Sequence, residues 1–115
     1  MLIPRLTIGV IAMLTYEKIL EVFQDYLSED DICEVLHTSR GYLVVDWESG
    51  KKGSEWITAR RCQTPEQLLE VLRSTFEEYQ GYRITDGYKR DVTEQEELDI
   101  ERMGAERAAR CTEDK

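Results

Sequence analysis

The fold is decided by residues 32–62, ICEVLHTSRGYLVVDWESGKKGSEWITARRC. Three runs rich in β-branched, aromatic and other apolar residues are separated by Ser39-Arg40-Gly41 and Lys51-Lys52-Gly53. A three-residue loop ending in glycine is the pattern of a type I turn followed by a left-handed residue, where glycine carries no Cβ penalty. The spacing predicts a three-stranded antiparallel meander. Two such turns place Cys33 opposite Trp47, Val35 opposite Val45 and His37 opposite Leu43, then Trp47 opposite Ile57 and Val45 opposite Ala59. One face then carries Cys33, Val35, His37, Leu43, Val45, Trp47, Ile57 and Ala59, and this nearly apolar set is the expected core. The other carries Glu34, Leu36, Tyr42, Val44, Asp46, Trp56, Thr58 and Arg60. A slip of one residue would exchange the two faces.

Helices flank the meander. Tyr16, Ile19, Leu20, Phe23, Tyr26 and Leu27 keep the i, i+3, i+4, i+7 rule, which predicts a helix from Tyr16 to about Leu27 with Thr15 as its N-cap. Glu17, Glu21 and Asp25 line its outer side. Thr64-Pro65-Glu66-Gln67 opens a second helix: threonine caps, proline takes the first turn, and glutamine completes a capping box. Leu68, Leu69, Leu72, Phe76 and Tyr79 form its apolar stripe, and Gly81 is the expected stop. The fold class is therefore α+β, in the order α-β-β-β-α over residues 13–81, with two helices covering one face of the sheet.

Residues 82–115 form a connector, with a turn at Asp86-Gly87, and a charged C-terminal helix. Thr93-Glu94-Gln95-Glu96 is another capping box, opening a helix to about Arg110. Asp91, Glu94, Glu96, Glu97, Asp99 and Glu101 crowd its start, and Arg102, Arg107 and Arg110 lie toward its end, in keeping with the helix dipole. Its apolar content is thin and Gly104 interrupts it, so it is expected to fray or to order on a partner. Residues 1–12, MLIPRLTIGVIA, are apolar and almost uncharged. They are too short to span a bilayer and poor as a signal peptide. The codons for Gly9–Ala12 can spell a ribosome-binding site before Met13, so a start at Met13 in a bacterial or phage gene is expected. A real N-terminal strand or apolar cover is the competing reading.

Composition narrows the function. The net charge of −9 excludes non-specific affinity for nucleic acid or for an anionic membrane, and its natural complement is a basic partner surface. Three scattered cysteines and one histidine offer no zinc pattern and no disulfide framework, which points to a reducing, cytoplasmic setting. No P-loop, GxGxxG, GxSxG or HExxH occurs, and neither a cofactor nor catalysis is expected. Cys33 and His37 share a face but stand two pleats apart, too far for a nucleophile and its base. Glu34 and Asp46 are expected to pair across the second face, with Arg60 close by to neutralise them.

The order α-β-β-β-α resembles the double-stranded-RNA-binding domain in topology alone. That family grips phosphates with a basic start to its second helix, and here the start is Pro65-Glu66-Gln67. The sequence supports a non-catalytic acidic protein that binds a basic protein surface through Glu94, Glu96, Glu97, Asp99 and Glu101. In its sharper form it is a phage or mobile-element inhibitor imitating nucleic acid. The alternative is an accessory interaction domain that binds through an aromatic sheet face carrying Tyr42, Val44, Trp56 and Arg60.

Overall fold

The structure is a computed structural model that describes residues 13–49 and 55–113, with the side chains of Ser49, Glu55 and Trp56 left out. The readings placed on residues 1–12 and the second predicted turn at 51–53 lie outside the described residues. Strands β1 (Cys33–Thr38), β2 (Gly41–Ser49) and β3 (Glu55–Cys62) form an antiparallel sheet in the order β1-β2-β3. Helices α1 (Tyr16–Val22) and α2 (Gln24–Glu29) precede it. Helices α3 (Pro65–Ile84) and α4 (Glu94–Arg110) follow it. The α+β class and the meander are as expected, and none of the described helices is long and apolar enough to cross a membrane.

Helix starts follow local chemistry. The Thr15, Thr64 and Thr93 side chains accept hydrogen bonds from the backbone N–H groups of Lys18, Gln67 and Glu96, satisfying donors that an uncapped helix leaves free. Glu96 completes the last box by accepting from the Thr93 N–H at 3.0 Å. Helix ends follow it less well. The helix that begins at Tyr16 is broken at Phe23, and α3 passes through Gly81 to Ile84. Gly81 sits buried inside α3, and the cap falls on Thr85, whose hydroxyl donates back to the Gly81 carbonyl at 2.7 Å.

The register divides into a half that matches the expectation and a half that does not. Between β2 and β3, Trp47 pairs with Ile57 and Val45 with Ala59, as the spacing predicts. Between β1 and β2 the pairing is shifted by one: Cys33 meets Asp46, Val35 meets Val44, His37 meets Tyr42 and Thr38 meets Gly41. The first turn is thus a two-residue loop, Ser39-Arg40. Thr38 closes it, its hydroxyl donating to the Gly41 carbonyl and accepting from the Arg40 N–H, both at 3.1 Å. Gly41 lies at φ +113°, and a Cβ there would collide with the carbonyl oxygen of Cys62. It is glycine because β3 ends against it as well as because of the turn.

The shift turns β2 and β3 over relative to the expected core. Cys33 and Val35 face the helices as predicted, but with Tyr42, Val44 and Cys62 instead of Leu43, Val45, Trp47, Ile57 and Ala59. Val44 and Cys62 are buried with Ile19, Phe23, Tyr26, Leu68, Leu72 and Phe76 in one cluster. Tyr42 is half-buried between Tyr16 and a stacked His37, each ring centroid 4.7 Å away. The outer face keeps Leu36, Trp47 and Ile57 at 46%, 43% and 48% exposure, around a buried Val45. Trp47→Ala is therefore expected to cost about 1 kcal/mol or less, far below the roughly 3–5 kcal/mol of an aromatic core truncation. A denaturant melt checks this, and a core-sized loss would restore the register expected from the two glycine turns.

The C-terminal helix is docked, contrary to expectation. Ile100, Gly104 and Cys111 are buried against the rest of the fold. At Gly104 an added Cβ would overlap the Glu77 carboxylate of α3, so the glycine permits the close approach of the two helices. Arg107 reaches across to α1 and α2. It holds both oxygens of Asp25, at 2.6 and 2.9 Å, donates to the Val22 carbonyl at 3.0 Å, and lies 4.6 Å from the Phe76 ring centroid. A planar guanidinium can do all of this at once. The pairing with Arg107 holds the Asp25 carboxyl below the usual carboxylate range.

Candidate functional site: two adjoining acidic grooves

Two grooves meet at Glu78 and Tyr88. The larger, about 910 Å³, lies where the α2–β1 link, the end of β2 and the C-terminal half of α3 converge. Its carboxylates are Glu29, Asp30, Asp31, Asp46, Glu48 and Glu78; Trp47, Tyr79, Tyr82 and Tyr88 supply aromatic surface, and among the described residues its lining includes no lysine or arginine. Asp30, only 8% exposed, accepts from the Tyr26 hydroxyl at 2.6 Å and from the Ile32 N–H at 3.3 Å. Burial, followed by the bond to Asp30, raises the Tyr26 phenol pKa well above its ordinary value. Among the described residues Asp30 has no ion-pair partner. Asp46 does have one: Arg60 lies at 3.1 Å, yet burial still outweighs that cation and raises the Asp46 pKa.

The aromatic wall is held by an uncommon turn. Asp86, Gly87 and Tyr88 all have positive φ, at 54°, 82° and 62°. A bulky residue there is disfavoured unless its surroundings hold it. Here the Tyr88 N–H donates to the Thr85 hydroxyl at 2.9 Å, and the Tyr88 hydroxyl donates to the Glu78 carbonyl at 3.1 Å. The Tyr88 ring meets Tyr82 edge-on, centroids 5.7 Å apart, and both side chains remain more than half exposed.

The second groove, about 680 Å³, runs between α3 and α4. Glu94, Glu97 and Glu101, at i, i+3 and i+7, line it together with Glu77 and Glu78. Thus three of the five acidic residues singled out on this helix come together and have no ion-pair partner among the described residues. The other two are neutralised within the fold. Glu96 is gripped by Arg90 at 2.8 and 2.9 Å, which pulls its carboxyl down to about 2, and Asp99 pairs with Arg102 at 3.0 Å.

Of the four sheet residues proposed as an aromatic face, the three whose side chains are described are not brought together at the surface. Val44 is fully buried, Tyr42 is half-buried under Tyr16, and Arg60 is committed to Asp46. Trp56 pairs with Glu48 in the register, and its side chain is outside those described. Glu34 and Asp46 fall on opposite faces, because the shifted register pairs Cys33, not Glu34, with Asp46. Glu34 instead accepts from the Trp47 indole N–H. The Cys33 thiol, buried and beside Asp46, is pushed up to about 11, the reverse of an activated nucleophile, while His37 lies exposed at the far end of β1.

Comparison with protein-family models, curated proteins and solved structures finds no match in any of the three. The functional reading therefore rests on the grooves. Sequence reasoning missed the larger one because its walls come from residues 29–32, 46–48 and 75–88, and no single stretch carries more than three of its six carboxylates. The signal available was Ser28-Glu29-Asp30-Asp31, an acidic link with no basic neighbour in sequence.

Proposed function

We propose that this protein is a non-catalytic binder of a basic protein surface, which it receives along the two adjoining acidic grooves. One observation carries the reading: Glu94, Glu97 and Glu101 line a groove continuous, through Glu78 and Tyr88, with a second groove that is also walled by carboxylates and has no cation in its lining among the described residues. Unneutralised carboxylates held on two packed helices favour an approaching positive surface and speed its encounter. The sharper form of the reading is a partner whose basic surface ordinarily receives nucleic-acid phosphates, in which case DNA competes for it.

Replacing Glu94, Glu97 and Glu101 together with glutamine tests the reading on a partner captured from the source cell. Three exposed charge pairs at about 0.2–1 kcal/mol each predict roughly tenfold weaker binding in low salt. The salt dependence should flatten as well, because screening acts on the pairs that have been removed. The fold should survive, since none of the three has an ion-pair partner among the described residues. Equal affinity for both proteins at every salt concentration would reject the reading.

The outer sheet face supports a second reading. Leu36, Trp47 and Ile57 stand exposed together there, and a solvated sheet face is usually more polar. A partner docking on it would lose affinity on Trp47→Ala and Leu36→Ala and would be indifferent to the glutamine substitutions.

A further inference from the structure

We propose that the outer face of the sheet is covered by a second copy of this chain, packed face to face about a two-fold axis that runs along β2. An isologous interface must be complementary to itself, and this face is so in one orientation. β2 runs down its middle, with Leu43, Val45 and Trp47 directed outward. A half-turn about β2 lays each of these against its own copy and carries β1 of one protomer over β3 of the other. Ile32, just before β1 and beside Trp47, then meets Ile57; the two are 51% and 48% exposed. The charges match as well. Among the described strand side chains on this face, only Glu34 on β1 and Arg61 on β3 are charged. Both are exposed, and Arg61 has no ion-pair partner among the described residues. The half-turn sets Glu34 over Ala59 of the copy, with Arg61 the next outward residue along that strand. A two-fold across the strands, centred on Val45, would set Glu34 against Glu34, and like charges face to face are costly. The described side chains of this face thus sum to no net charge, in a chain of net charge −9, so two copies meet here without opposing carboxylates. Three strands about 4.8 Å apart make a narrow face. It falls short of the ~800 Å² per partner of a standard interface, so the pairing is weak and reversible. The groove between α3 and α4 lies on the helical side and stays open in each copy, so the pairing is independent of the basic-partner reading.

Sedimentation equilibrium on the full chain, from micromolar to millimolar concentration, tests the pairing. The apparent mass should rise from one chain toward two and no further, since a half-turn closes the pair. Added salt should tighten it, because screening relieves the repulsion between two acidic chains and leaves apolar contact in place. Binding of a basic partner weakens under the same change, so the two readings fail separately. Ile57→Lys, at an exposed position, should weaken the pairing at least about tenfold, because it places an ammonium in an apolar contact. Glu34→Arg and Arg61→Glu should each weaken it severalfold at physiological salt, and the chain carrying both exchanges should recover. Glu34→Arg also brings the net charge nearer zero, so bulk repulsion alone would strengthen the pair, and only a local clash with Arg61 weakens it. The double exchange has the native net charge. A single chain's mass at every concentration and salt overturns the proposal, whether residues 1–12 or another protein covers the face. Association that survives Ile57→Lys, or that the double exchange fails to restore, overturns it too.

Discussion

Phe76→Ala is expected to destabilise the fold by about 3–5 kcal/mol, the range for truncating a buried aromatic side chain. The magnitude follows from what the ring joins. Phe76 is 2% exposed on α3 and meets Phe23 and Tyr26 edge-on, at centroid distances of 6.1 and 5.5 Å. On its other side lies the Arg107 guanidinium, which ties α4 to Asp25. Removing the ring opens a cavity among four helices and takes away the platform under Arg107. Such a site cannot collapse without moving one of the helices, so the loss should fall at the upper end of the range. Equilibrium urea unfolding measures it. A loss below about 1.5 kcal/mol, the scale of conservative core swaps, would show that Phe76 is not at the centre of the core.

Gly41→Ala is expected to cost at least about 2 kcal/mol, the sum of a backbone penalty at positive φ and a steric conflict. At φ +113° a side chain is already strained, and here the added Cβ would run into the Cys62 carbonyl, with the Gln63 Cα only 3.2 Å away. Both obstacles are main chain, so no side-chain rotation relieves them. The chain must either lift the end of β3 from β2 or reopen the first turn. Hydrogen exchange distinguishes the two: a lifted β3 exposes the amides near Arg61 and Cys62, and an altered turn exposes those near Thr38. An alanine variant with unchanged stability would mean that Gly41 does not occupy this conformation.

Much of the architecture was legible because it depends on neighbours in sequence. Thr15, Thr64 and Thr93 cap helices wherever those helices lie, and Pro65 suits a first turn in any context. The β2–β3 register likewise agrees with the spacing across Lys51-Lys52-Gly53. Helix ends were less legible. Gly81 is a stop signal only where a left-handed residue is needed, and here α3 carries it through, buried beneath Val92 and Tyr88.

What the sequence determined by itself was the order of elements, the meander and the acidic surplus. The tertiary structure decided which face of the sheet is the core, whether α4 docks, and where the carboxylates gather. Period-two alternation identifies a core face only when one face is polar, and in this sheet both faces carry large apolar residues. The choice passed to the Thr38 turn, to the fit of Gly41 against Cys62, and to the helices that seat Tyr42 and Val44. Docking of α4 turned on the burial of Ile100 and Cys111, the close approach at Gly104 and an arginine bonding across a separation of 82 residues, and the larger groove on three stretches that meet only after folding. Such contacts depend on distances in space, which residue type and spacing do not encode locally.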